Sequence, residues 1–328
     1  MPEAREKSVM RSSAAFSIQA AMAHRPSGPL LARLGCVLAA LALSVMAPVH
    51  ETLRAQDRAG ETSLPAGPFQ FQFTDWEGPA LTTWTYVPEG LDPSRAPIVI
   101  VMHGARRDAD RYRDQWIKPA KAGGFIVVAP AFPKTAFPKA AGYNLGAVFD
   151  GSPKEKRDES LWAFSAIEPL FDHVVARVHG QQTRYTIYGH SAGSQFVHRF
   201  LFFKPDARVK RYIAANAGWY TFADPTTAFP FGLGGLEISD DQLRGALAKT
   251  LVVALGEEDS DPGARLLNTS EGAMAQGPHR FARGQAFYAA ARSLAKRRGW
   301  PFGWSRRTVP GVGHSNGAMA PKLADLIE

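Results

Sequence analysis

Cysteine is almost missing from this chain, which has one, Cys36, among 328 residues. A disulfide framework is therefore excluded, as is a zinc site built on cysteine pairs. No His-Glu-x-x-His run or other metal-ligand cluster occurs, and no glycine-rich phosphate cradle, so no metal and no cofactor is expected. Compact runs of basic residues interleaved with aromatics are missing too. The net charge is +8, from 38 Lys and Arg against 30 Asp and Glu, but the cations are scattered. That reads as a generally basic surface and gives no indication of nucleic-acid binding. An apolar stretch at 34–49 has 16 residues, short for a membrane-spanning helix and within range for the hydrophobic part of an export signal.

Arg25 and Arg33 precede that stretch, and Leu53-Arg54-Ala55-Gln56 offers a small-residue cleavage site. Residues 1–55 are read as a signal peptide or N-terminal targeting segment, with Met22 an alternative start. Residues 56–67 are polar and punctuated by Gly and Pro, a linker, and 68–328 form one large domain. A secreted or periplasmic location follows, with no stable membrane span expected after processing. Cleavage near Ala55 leaves a mature chain without cysteine, which must rely on its core; at 45% hydrophobic and 21% charged residues, the composition is that of a soluble globular protein.

Within this domain, strand-like and helix-like segments alternate. Residues 69–73 and 81–87 alternate apolar with polar and read as a half-exposed antiparallel pair. The β-branched runs at 97–102, 124–129 and 250–255 look like strands buried on both faces, joined by 184–188 and 211–215. Residues 159–178 and 281–296 carry apolar side chains at helical spacing. The order implies a mostly parallel central sheet with helices on both faces.

Gly189-His190-Ser191-Ala192-Gly193 has the pattern G-x-S-x-G, directly after a strand and directly before a helical pattern. Such a turn strains the serine and exposes its hydroxyl, while the helix N-terminus behind offers N–H groups to a developing oxyanion. An unassisted serine is a poor nucleophile and needs a base with a group that orients it. His314 suits the base, since it stands in a Gly-rich loop near the C-terminus, ahead of a final helix. His279 opens a helix, and His198 lies along the helix beyond Ser191. The acid is expected after the strand ending at Leu255, where Gly256-Glu257-Glu258-Asp259-Ser260-Asp261 offers four carboxylates. Asp259 stands at a G-x-x-D spacing and is preferred, with Asp261 the alternative. The oxyanion hole needs the N–H of Ala192 and a second donor. Met102-His103-Gly104-Ala105 ends a strand and makes Ala105 the candidate, with His103 supporting its loop.

With these motifs in order, residues 80–328 resemble the α/β-hydrolase superfamily, and within it the secreted esterases of the polyhydroxybutyrate-depolymerase and feruloyl-esterase-like group. The resemblance implies an α/β-hydrolase fold over the catalytic domain 68–328. It also implies cleavage of carboxylic esters through an acyl-enzyme, with Ser191 as nucleophile, His314 as base and Asp259 as acid. Those depolymerases usually carry Cys after the His-Gly pair and disulfides elsewhere. This chain has Ala105 there, and no substrate-binding module is recognisable after the catalytic domain, so a small-molecule or oligomeric ester is the expected partner. Trp219 and Tyr220, after a strand end, are candidates to line the substrate pocket. Residues 229–235 read as an excursion over it. Two other readings stand beside ester hydrolysis: a peptidase or amidase on the same triad, and a catalytically inactive binding protein that keeps the fold.

Overall fold

The computed structural model describes residues 63–150 and 155–328. The targeting segment 1–55, Cys36 and most of the linker lie outside the described residues. Strands β1 (Gly67–Phe73) and β2 (Leu81–Val87) pair antiparallel, with Phe73 opposite Leu81. Six more follow: β3 (Ile98–Met102), β4 (Ile126–Pro130), β5 (Tyr185–His190), β6 (Val209–Ala215), β7 (Leu251–Gly256) and β8 (Ser305–Val309). They form one sheet in the order β1-β2-β4-β3-β5-β6-β7-β8, antiparallel at β1–β2 and β2–β4 and parallel from β4 onward.

The central strands are buried on both faces because successive residues point to opposite sides. In β3, Ile98, Ile100 and Met102 join one core cluster, and Val99 and Val101 join the other. Helices α2 (Ile167–Arg177), α3 (Ala192–Phe203), α4 (Asp240–Ala248) and α5 (Arg280–Arg298) cover the first face through residues such as Phe171, Phe196, Leu247 and Phe287. Helices α1 (Ala109–Gly123) and α6 (Asn316–Leu323) cover the second, through Trp116 and Met319. Each such side chain contributes about 1.5–3 kcal/mol by leaving water. No helix among the described residues is long and apolar enough to cross a membrane.

Three features depart from the sequence reading. Residues 159–178 do not form one helix. Two 3-10 turns, Glu159–Leu161 and Ala163–Ala166, precede α2. Pro169 is the cause: within the first turn of α2 its missing N–H costs nothing, whereas a helix begun at 159 would place it in the interior. The second departure is that α1, α4 and β8 went unpredicted. Lastly, Leu64, within the segment read as linker, is 6% exposed, and its N–H donates to the Arg177 carbonyl. The tail of that segment is part of the packed unit.

Candidate active site

Ser191 sits between β5 and α3 at φ 59°, ψ −117°, a positive-φ conformation costly for a residue with a Cβ. Its surroundings over-determine it. The Ser191 N–H donates to the Ala215 carbonyl (3.0 Å), and its carbonyl accepts from the Gln195 N–H (3.1 Å). A Cβ at Gly189 would collide with the Gly193 carbonyl, and one at Gly193 with the Met102 carbonyl. Both glycines let strand and helix approach closely enough to force the turn.

His314 and Asp259 reach this serine from loops at the same end of the sheet. The Glu258 N–H donates to the Val312 carbonyl (3.0 Å), and the Glu257 N–H to that of Val309 (3.1 Å), so the two loops are laced together. Asn216 at the end of β6 braces both, accepting from the Gly256 N–H (2.8 Å) and donating to the Gly313 carbonyl (3.1 Å). His314 Nδ1 lies 2.7 Å from Asp259 Oδ2, and Nε2 lies 3.0 Å from Ser191 Oγ. A carboxylate only accepts, so Nδ1 carries the hydrogen and Nε2 is free to accept the serine's. Asp259 is 4% exposed, whereas Asp261 is exposed and accepts from the Gly263 N–H in its own turn (2.8 Å).

Ala105 and Ala192 both border the cavity in front of Ser191. Neither backbone N–H has an acceptor among the described residues. His103 holds the Ala105 loop from behind: the Phe132 N–H donates to its Nε2 (3.0 Å), which leaves Nδ1–H to donate to the Gly104 carbonyl (3.1 Å). Burial pushes the His103 imidazole down to about 3.

Trp219 lines the cavity, but Tyr220 does not. Tyr220 is fully buried, stacked 4.5 Å from Phe287, with its backbone N–H and carbonyl both bonded to the Gln276 side chain. Adjacent residues after the strand point to opposite sides, so one faces the site and its neighbour the core. Residues 229–235 are also misplaced by the sequence reading. None lines a cavity beside Ser191; Phe231 packs 4.9 Å from Trp219 and Phe229 packs 5.8 Å from Phe203. Arg265 and Leu266 overhang the site instead, with Leu266 72% exposed at φ 66°.

No protein-family model and no curated protein matches the chain. Solved structures do. Poly(aspartic acid) hydrolase-1 from Sphingomonas sp. KT-1 is 40% identical over 80% of this chain and 99% of its own, with a TM-score of 0.78. LpqC, a poly(3-hydroxybutyrate) depolymerase from Bordetella parapertussis, is 34% identical over 80% of this chain and 90% of its own, with a TM-score of 0.74. This chain belongs to the α/β-hydrolases. An S-formylglutathione hydrolase from Agrobacterium tumefaciens shares the fold at 17% identity, covering 81% of this chain and 95% of its own, TM-score 0.52.

Two cavities of this hydrolase meet at Ser191 and His314, one of about 470 Å³ and one of about 300 Å³. Arg107, Lys134, Lys139, Arg265 and Arg280 line the larger, and no carboxylate among the described residues does. Behind its wall of Asn144, Gln195 and Trp219 lies Arg199, fully buried. It donates to Thr221 Oγ1 (2.7 Å) and to the carbonyls of Asn144 (3.0 Å) and Gln195 (3.1 Å), with its guanidinium 4.2 Å over the Trp219 ring. Sequence reasoning missed this charge because its members are spread from position 107 to 280. It also missed Asn216 as a brace and Arg280, whose Nη1 donates to Asp259 Oδ1 (3.2 Å). Among the described residues no group of three or more His, Cys, Asp or Glu could hold a metal.

Proposed function

We propose that the protein is a serine hydrolase that cleaves carboxylic esters through an acyl-enzyme. The observation that carries this reading is the continuous hydrogen-bonded chain from Ser191 Oγ through the His314 ring to Asp259. Ser191 Oγ attacks the acyl carbon as His314 Nε2 takes its proton. The carbonyl oxygen gains negative charge and is held by the N–H groups of Ala105 and Ala192, whose lack of internal acceptors supports that role. His314 returns the proton to the leaving oxygen, the acyl-enzyme remains, and a water activated by the same imidazole releases it. Asp259 fixes the tautomer and stabilises the imidazolium. Trp219 packs against the acyl or alcohol portion.

A second reading is favoured by one observation, the cations lining the larger cavity without a carboxylate among them. It is hydrolysis of an amide in a chain of anionic units, the chemistry in the name of the Sphingomonas relative. Electrostatic attraction supplies affinity for such a chain whichever acyl bond is cut.

A panel of 4-nitrophenyl esters of rising acyl length, run beside poly(aspartic acid), separates the two. The ester reading expects turnover of the short esters, and Ser191→Ala lowers it by roughly 10⁴- to 10⁶-fold. Wild-type activity in Ser191→Ala overturns the nucleophile. Release of new amino termini from poly(aspartic acid) without ester turnover gives the second reading. We also propose export by residues 1–55, tested by sequencing the mature N-terminus. A chain that still begins at Met1 or Met22 overturns it.

A further inference from the structure

Two arginines open α5, and they are spent differently. Arg283 is fully buried and uses its guanidinium on internal acceptors: the carbonyls of Gly277 (2.9 Å), Gly218 (2.7 Å) and Asn268 (2.9 Å). It is an anchor for the loop between β7 and α5. Arg280, one turn earlier, makes two bonds among the described residues. Nη1 donates to Asp259 Oδ1 (3.2 Å) and Nη2 to the Arg265 carbonyl (3.2 Å). A guanidinium has five N–H donors. Nε–H has no partner among the described residues, and the side chain lines the larger cavity beside Ser191.

The Arg280–Asp259 pair is itself informative, since both side chains are 4% exposed. Withdrawing two opposite charges from water costs as much as their attraction returns, so stability alone does not account for a cation here. Asp259 Oδ2 already serves His314, and a neutral donor would satisfy Oδ1 at lower cost. The cation becomes useful through its place on the wall of a cavity that no carboxylate of the described residues lines.

We infer that Arg280 is a specificity-determining residue that binds a carboxylate of the substrate with N–H groups its internal bonds leave free, while Nη1 holds Asp259. The proposal rests on the serine-hydrolase reading and adds a ligand class and a named contact to it. A guanidinium matches a carboxylate in planar, two-point geometry, which a lysine ammonium does not. Because one rigid group touches both substrate and triad acid, the charged substrate is held at a fixed distance from the reacting serine.

The test compares 4-nitrophenyl butyrate with two anionic esters, the 4-nitrophenyl monoester of glutaric acid and 4-carboxyphenyl butyrate, in wild type, Arg280→Gln and Arg280→Lys. Arg280→Gln is expected to lower kcat severalfold on all three esters, because Asp259 loses a bond. It should also raise KM about tenfold on at least one anionic ester and leave KM for the neutral one within twofold, the size expected for a lost charge-assisted hydrogen bond. Arg280→Lys keeps the charge but not the two-point geometry, so it is expected to recover only part of that KM ratio and part of kcat. A purely structural arginine would move kcat alike on all substrates and leave the ratio of anionic to neutral KM unchanged, and that outcome overturns the proposal. Glutarate binding to the same proteins, followed by thermal shift, does not depend on turnover. Loss of the glutarate shift in Arg280→Gln with a reduced shift in Arg280→Lys supports the contact even if ester hydrolysis fails in the wild type; an equal shift in all three removes it.

Discussion

The imidazole of His190 lies 4.7 Å from that of His314, tilted 40° to it and sealed from water. Burial holds His190 well below its ordinary range, helped by the facing His314, Arg280 and Arg111. It therefore stays uncharged and does not compete with a proton on His314. Its one bond is between Nδ1 and the Tyr112 hydroxyl (3.1 Å), and Nε2 has no partner. Tyr112→Phe would leave the ring with both nitrogens unsatisfied. That costs about 1–3 kcal/mol in urea unfolding, with kcat falling severalfold and KM unchanged. An unmoved unfolding midpoint would show that the bond contributes nothing.

His103, His190 and His198 share this state: all three are buried, and burial is the largest cause of their lowered proton affinity. The sign follows from linkage. Below about pH 6.5 the unfolded chain takes up protons that the folded protein refuses, so stability falls as pH falls. Each histidine contributes about 1.4 kcal/mol per pH unit in that range, and for His103 the loss continues down to its folded value of about 3. Urea unfolding at pH 7, 6 and 5 reads the slope. His103→Gln, which keeps an acceptor for the Phe132 N–H, should reduce it by one proton. A flat profile between pH 7 and 5 contradicts the assignment.

Asp259→Asn and Asp261→Asn separate the two candidate acids. The Asp259 variant should lose about 10⁴ in kcat, the cost of the wrong imidazole tautomer. It also strips the buried Arg280 of its counter-charge. Breaking a buried pair costs about 3–5 kcal/mol, at the low end here because Arg280 borders a cavity. Asp261 is exposed and bonded only within its own turn, so its variant should keep activity within twofold and lose little stability. A larger loss in the Asp261 variant reverses the assignment.

The parts of this molecule that were legible in the sequence are those set by local physics. β3, β4 and β7 announce themselves as apolar runs because a parallel strand is buried on both faces. Ser191 is legible because strand, glycine and helix are contiguous. Helix α1 was hidden by its own inward face, where Arg113 sits among Tyr112 and Trp116 and sends its guanidinium to the Thr85 carbonyl (2.8 Å). Edge strand β8, Ser-Arg-Arg-Thr-Val, is exposed or half-buried up to its last residue and has no apolar run to show. Charges around the site were illegible for a different reason. Arg107 turns inward to the carbonyls of Phe132 (2.8 Å) and Lys139 (2.9 Å), partners far along the chain, and lines the cavity beside Ser191. Composition records the net charge, and the fold decides where it converges.

Trp219 and Tyr220 give the sharpest contrast between adjacent residues. The Trp219 ring separates the larger cavity from Arg199, which has no carboxylate partner among the described residues. Trp219→Ala loses a large packed side chain and a desolvated cation–π contact, at a cost of about 3–5 kcal/mol. It should also unmask Arg199 to the cavity. KM for a neutral ester should then rise by about tenfold while KM for an anionic ester rises less, so that their ratio shifts in favour of the anion. Trp219→Phe keeps an aromatic face and should hold the ratio near wild type. Tyr220→Phe alters a residue enclosed by His198 and Phe287 and should leave both KM values within twofold. Equal KM changes for the two esters in Trp219→Ala would place Arg199 outside the field that the substrate feels.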